Sequence, residues 1–234
     1  MNRTAWTVAK LNLRNLRGAW WVTGIVVVLM LVNTIVSAVV STRGIDMRGQ
    51  DGVGFGNFVW LMPLLAAIAI PALNYRRIVN LGGRRVQYFW GAALAYVVLA
   101  AAAALANVVL YYAIDRPVTE NGRIGGLWNL TQVFGWTAHG PVVAFVQAFA
   151  FLLLFTAFVH LLVSMQDRWY GWVLDVAVVA VIAVFTPIAP LRRALVDFFH
   201  LVIFGPAVPQ ILACLVLAAA LYAATRPVLA AKPI

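Results

Sequence analysis

Long apolar segments alternate with short polar ones along the whole chain. A helix that crosses a bilayer needs about 20 mostly apolar residues, because the hydrocarbon core offers no water to unpaired backbone groups. Six segments approach or exceed that length: residues 19–40, 58–73, 88–114, 141–163, 172–185 and 210–224. The pattern therefore predicts an all-α integral membrane protein, with one transmembrane domain of six helices spanning residues 1–234.

Residues 4–18, before the first span, combine two stripes at helical spacing. The apolar stripe contains Trp6, Ala9, Leu13 and Leu16. The polar stripe beside it contains Thr7, Lys10, Arg14 and Arg17. A helix with an apolar and a basic stripe lies in the membrane interface, where its cations reach lipid phosphates. These residues are therefore predicted to form an amphipathic interfacial helix.

Residues 74–87 separate the second and third spans and contain four arginines, Arg76, Arg77, Arg84 and Arg85. Such charges are costly in hydrocarbon, so this loop lies outside it, and the positive-inside rule places it in the cytoplasm. The apolar residues between the arginines indicate a short helix that Gly82 and Gly83 end. Such a helix is able to receive force from a soluble partner. The alternative is that the arginines only fix the topology and bind anionic lipid.

Residues 186–209 contain four prolines together with charged and apolar side chains. They are too polar for a span and too apolar for an ordinary loop, which predicts a re-entrant outer segment made of two short helices. Residues 115–140 form the other large outer loop. Its aromatic side chains are typical of the headgroup belt.

Composition agrees with a membrane protein, since 64% of the residues are hydrophobic and 10% are charged. Soluble domains average about 45–50% apolar and about 25% charged residues. Six spans place both termini in the cytoplasm, together with most of the 17 basic residues. The net charge of +10 is then explained by membrane topology, and no nucleic-acid partner is expected.

The sequence contains no recognisable catalytic motif, so we do not expect this protein to be an enzyme. The two lysines, Lys10 and Lys232, do not follow a glycine-rich turn, so a phosphate-binding loop is excluded. The histidines are too far apart in sequence to indicate a metal site. His160 and Asp175 lie about one turn inside their spans and form a possible polar pair. That pair supports an alternative function, proton-coupled secondary transport, although a structural hydrogen bond would explain the same residues.

The order of these parts resembles the permease subunits of the ABC-2 (type V) exporter superfamily. The segment NLGGRRVQYFWGAAL, residues 80–94, is similar to that family's small residues, basic pair, aromatic and glycine before the third span. The chain departs from many relatives in having no acidic residue before the basic pair. The resemblance implies that residues 4–18 are the elbow helix and that residues 74–87 couple the permease to its ATPase.

The resemblance also implies an exporter in which ATP and Mg bind separate ATPase subunits. The permease would pair with a second copy or a paralogue in the cell membrane, most simply a bacterial inner membrane, with lipid around it. Residues expected to contact the ATPase are Tyr75, Arg76, Arg77, Asn80, Arg84 and Arg85. The translocation path would lie near spans 1, 2 and 5. Its candidate residues are Asn33, Phe58 and Trp60, in addition to the possible polar pair of His160 and Asp175.

Overall fold

Helices make up nearly all of the chain that the computed structural model describes, which is residues 3–42, 52–54, 56–120, 127–166, 169–185 and 187–231. The α-helices of this part are α1 Arg3–Asn15, α2 Arg17–Thr42, α3 Gly56–Val59, α4 Leu61–Ala69, α5 Tyr75–Asn80, α6 Arg85–Leu110, α7 Arg116–Glu120, α8 Leu130–Val133, α9 Pro141–Met165, α10 Trp169–Phe185, α11 Ala189–Phe204 and α12 Ala207–Ala231. Two π-helical turns, Ile70–Asn74 and Tyr111–Asp115, and a 3₁₀ turn, Trp136–His139, interrupt or join them. Strands β1 Gly52–Val53 and β2 Leu127–Trp128 form a short parallel pair.

Among the described residues, four continuous helices are long and apolar enough to cross a membrane, which indicates a membrane-embedded protein. They cover Gly56–Asn80, Arg85–Asp115, Pro141–Met165 and Ala207–Ala231. A fifth is possible if the bent pair Ala5–Asn15 and Arg17–Val32 is one span. The predicted spans at 19–40 and 172–185 lie within α2 and α10. The apolar stretch of α10 identified in the structure, Gly171–Val181, is shorter than the other four.

The helix of the second predicted span is longer than residues 58–73. It begins at Gly56 and continues without a loop to Asn80. Pro71 lies in the π-turn Ile70–Asn74, where its missing N–H is tolerated because the turn already departs from the α-helical bonding pattern. Residues 74–80 of the predicted loop are therefore the end of a helix, and the loop itself is short.

The long helix α6 lies at the centre of the bundle. Small side chains cover much of its buried surface, among them Ala92, Ala95, Ala100, Ala103 and Ala104. They allow close contact with α1, α4 and α9. The helices α9 and α12 run side by side in the same direction, since Gln147 contacts Gln210 near their starts and His160 contacts Tyr222 near their ends.

The segment at 186–209 differs from its prediction. Instead of two short helices it contains one helix, α11, which ends at Phe204 before Gly205 and Pro206. Gln210 of α12 donates to the Val202 carbonyl at 3.0 Å and fixes the end of α11 against α12. The aromatic side chains of residues 115–140 do not all lie at the surface, as a headgroup belt would require. Trp136 is fully buried in the bundle and donates from Nε1 to the Ile203 carbonyl at 2.8 Å.

Candidate functional site

Three parts of the chain that are distant in sequence meet at one end of the bundle. They are α1, the α5 segment with the turn before α6, and the last turns of α12. We call this the basic end, since several exposed cations lie there: Lys10, Arg14, Arg17, Arg76, Arg77, Arg84 and Arg226. The N-terminal helix and the end of α12 therefore lie on the same side of the bundle.

The α5 segment has a buried face and a basic face. Tyr75 and Ile78 are buried, whereas Arg76, Arg77 and Asn80 are exposed. Three of the residues expected to contact a partner are thus accessible. Tyr75 is not, because its ring packs edge-on against Tyr88 at 5.1 Å.

Gly82 and Gly83 end this helix as the sequence predicts. Gly82 has φ of +82°, a conformation that glycine adopts without strain. Its N–H donates to the Val79 carbonyl at 3.0 Å, and the Gly83 N–H donates to the Ile78 carbonyl at 2.9 Å. This is the Schellman arrangement of a helix C-terminus. The next helix starts at once, because Gln87 Oε1 accepts from the Arg84 N–H at 3.1 Å.

The buried face of α1 is rotated relative to the prediction. Its buried side chains are Ala5, Ala9, Asn12 and Leu16. Trp6, predicted to lie in the apolar stripe, is 42% exposed, and the Lys10 ammonium lies 5.4 Å from its ring centre. The basic side chains Lys10, Arg14 and Arg17 are exposed. The rotation follows from the neighbour of α1, which is α6.

An asparagine contact connects α1 to the helix that carries α5. Asn74, the last residue of the π-turn, donates from Nδ2 to Asn12 Oδ1 at 3.1 Å. Its Oδ1 accepts from Asn15 Nδ2 at 3.4 Å. Asn12 and Asn74 are both buried, so the bond is protected from water and joins the two helices directly. The sequence contains no local signal for this contact, since the partners are 62 residues apart.

The end of α12 is connected to the same region. Tyr75 Oη donates to the Leu229 carbonyl at 3.1 Å, and Arg85 Nη1 donates to the Ala230 carbonyl. These two bonds satisfy carbonyl groups in the last turn of a helix, where no intrahelical donor is available. Arg85 is therefore less accessible than the other loop arginines, and part of its role is to fix the end of α12.

His160 lies deeper in the bundle, surrounded by tyrosines of α6 and α12. Its Nδ1 is 2.6 Å from Tyr96 Oη. Its ring also contacts Tyr88 and Tyr222, with centroids 6.4 and 5.4 Å away. Tyr88 in turn donates to the Ile70 carbonyl at 3.1 Å, where the π-turn begins. We call His160, Tyr88, Tyr96 and Tyr222 the His160 cluster.

The structure gives the two members of the predicted polar pair different partners. Asp175 Oδ2 accepts from Gln166 Nε2 at 2.8 Å, while His160 hydrogen-bonds Tyr96. The three tyrosines around His160 are not among the site residues that the sequence predicts. Their periodicity on α6 was the available signal, since Tyr88 and Tyr96 are eight residues apart and both are buried.

A second polar cluster lies at the opposite end of the bundle. Asp115 and Asn129 are both fully buried, and Asn129 Nδ2 donates to Asp115 Oδ2 at 2.8 Å. Asn57 Oδ1 accepts from the Leu130 N–H at 2.8 Å. The chain at Gly56 passes so close that an added Cβ would lie 2.6 Å from Asn107 Nδ2. These contacts join the start of α3 to the connection between α7 and α8, so we assign them a structural role.

The predicted path residues Phe58 and Trp60 lie near the start of one helix, Gly56–Asn80. Asn33 lies in α2, and its side chain is outside the described residues. Phe58 is half-buried. Trp60 packs on Trp136, with ring centroids 6.0 Å apart, and also lines a small groove with Leu64 and Phe155.

Known proteins provide no further guide to this site: protein-family models, curated proteins and solved structures all gave no match to the chain. The geometry of the basic end is therefore the basis for the function proposed below.

Proposed function

We propose that this protein is the membrane-spanning permease subunit of an ATP-driven exporter of the ABC-2 type. In this proposal it works as a dimer, with a second copy or a paralogue, and binds separate ATPase subunits that hold ATP and Mg. The α2 and α10 helices complete six spans. The basic end and both termini face the cytoplasm, and the membrane is the cell membrane of a bacterium.

The observation that carries the proposal is the construction of α5. A short helical segment with two exposed arginines extends directly from a membrane helix. The residue just before it, Asn74, bonds to α1, and Tyr75 on its buried face bonds to α12. A partner that pushes on Arg76 and Arg77 would therefore move several helices together. A loop that served only as a topology signal would not need these buried contacts.

Charge distribution supports the orientation. The seven exposed cations of the basic end lie on α1, α2, α5, the following turn and α12. Lysines and arginines concentrate on the cytoplasmic side of membrane proteins. The shared location of the N-terminal helix and the end of α12 agrees with an even number of spans.

The exposed apolar surfaces of α2 and α10 are available to contact a second copy of the chain. Large apolar side chains are exposed along α2 and α10, including Trp21, Ile25, Leu29, Trp172 and Val176. Both helices make few contacts with the rest of the chain. In a membrane such surfaces contact either lipid or another helix. Contact with another helix is favoured by close packing, because lipid tails are as apolar as the side chains.

A pull-down from the native membrane tests the proposal. Tagged wild-type protein, solubilised in mild detergent, should recover a soluble ATPase. The triple variant R76A/R77A/R84A should lose it, because it removes the exposed cations of the α5 region and leaves Arg85 in place. The control variant R192A/R193A changes two exposed arginines on α11, outside the basic end as defined above, and should recover as much ATPase as the wild type. Size-exclusion profiles establish that all three are folded.

Failure of the wild type to recover any ATPase would overturn the proposal. Equal loss in the triple variant and the control would overturn the assignment of the docking surface to α5. In the first case the secondary-transport alternative is tested by proton-driven uptake in vesicles, with His160→Phe as the variant.

A further inference from the structure

A groove opens at the basic end between the start of α6 and the end of α12. Its volume is about 420 Å³. Seven residues line it: Arg85, Val86, Phe89, Trp90, Arg226, Leu229 and Ala230. It combines two guanidinium groups with a largely aromatic and aliphatic wall, so it is suited to a ligand that has a charged part and an apolar part.

The charged part of the groove is positive. Arg85 and Arg226 come from different helices, and no acidic side chain is among the described residues that line it. The bond from Arg85 to the Ala230 carbonyl fixes its guanidinium against the α12 side of the groove. Guanidinium groups bind phosphate oxygens through paired N–H donors. Two of them on one groove therefore favour a phosphate group.

The apolar part lies farther along α6. Trp90 is five residues beyond Arg85, about 7.5 Å along a helix axis, and is 59% exposed. Its ring packs edge-on against Phe89, with centroids 5.3 Å apart. Exposed tryptophan is typical of the boundary between headgroups and hydrocarbon. The guanidinium groups thus lie at headgroup depth, with an aromatic wall towards the acyl region.

We propose that this groove is a binding site for one anionic phospholipid. Its phosphate binds Arg85 and Arg226, and the first part of an acyl chain packs on Val86, Phe89 and Trp90. Free phosphate would leave the aromatic wall unused, and an acidic peptide would have to enter the membrane boundary. The site differs from the exposed arginines of α5, and it does not depend on an ATPase partner.

Native mass spectrometry of the purified protein tests the site. Delipidated wild type in detergent is titrated with dioleoyl-phosphatidylglycerol and, separately, with dioleoyl-phosphatidylcholine. We expect tighter binding of the glycerol lipid. A basic residue near an anionic surface contributes about 1 kcal/mol, so R226Q should weaken binding about fivefold and R85Q/R226Q about thirtyfold. The control R192Q/R193Q should change it less than about twofold.

Further arms separate the possible sources of the phosphate. Inorganic phosphate and glycerophosphoglycerol, which lack acyl chains, should not displace the lipid at equal concentration, and W90A should weaken lipid binding without removing the preference for the anionic headgroup. R226Q keeps the Arg85 bond to α12, so its result does not depend on the fold of the double variant. Equal binding of the two lipids, equal losses in R226Q and the control, or displacement by inorganic phosphate would each overturn the proposal.

Discussion

Alanine at Gly91 should release α1 from the bundle. A Cβ built on Gly91 would lie 2.5 Å from Val8 Cγ1 and 3.1 Å from the Ala5 carbonyl oxygen. Carbon atoms pack best about 3.5–4.0 Å apart, so even one methyl group does not fit. Part of the obstacle is the backbone of α1, which is unable to move aside by rotating a side chain.

The size of the effect follows from two opposing contributions. An extra carbon in a close-packed contact costs about 1–3 kcal/mol. Replacing a helical glycine by alanine also stabilises α6 by up to about 1 kcal/mol, but this gain does not involve the contact with α1. Detachment of α1 should therefore become about 5- to 150-fold more frequent, while α6 itself is not weakened.

Hydrogen–deuterium exchange of residues 3–15 in detergent measures this detachment, since amide protection reports local opening. G91A should exchange faster there than the wild type. The matched control is G24A, because an added Cβ at Gly24 has no neighbour within 4 Å. The reasoning is refuted if α1 exchanges equally slowly in G91A and the wild type, or if G24A accelerates it as much.

Two buried hydrogen-bonded contacts lead to further predictions. Gln210→Met removes its bonds to Gln147 and to the Val202 carbonyl and should lower stability by about 0.5–2 kcal/mol, measured as an earlier thermal unfolding transition in detergent. Asp115→Ala leaves the buried Asn129 amide without its acceptor, at a cost of about 1–3 kcal/mol, and should accelerate exchange in α8. Each variant is a control for the other: if Gln210→Met accelerates exchange in α8, or Asp115→Ala does so in α12, the contacts are not independent and the local explanation is wrong.

Local signals in the sequence are sufficient to predict those features that depend only on residues close together in the chain. The break at Gly82 and Gly83 was predicted because glycine adopts the required conformation whatever surrounds it. Gly91 is a second position where a small residue matters, since α1 lies so close to it that an added Cβ would meet Val8.

Contacts between distant segments were the part that the sequence did not reveal. Asn12 is buried and accepts a hydrogen bond from Asn74, whereas Leu13 is only half-buried. His160 hydrogen-bonds Tyr96, 64 residues away, and no periodicity within α9 specifies that partner. Asp115 was assigned to an outer loop, yet Asn129 makes its complete burial possible. Such partners become visible only when the helices are placed together.

The π-turn at Ile70–Asn74 has a consequence for the phase of the helix that contains it. In an uninterrupted α-helix, Met62 and Ile78 would point about 160° apart, because each residue adds about 100°. The extra residue of a π-turn removes about 100° of that difference. Both side chains therefore point towards the same buried side of the helix, and each is only 3% exposed. Deleting one residue here would restore the regular winding and rotate Arg76 and Arg77 away from their present direction. The inserted residue therefore determines which side of the helix presents its arginines to the aqueous phase.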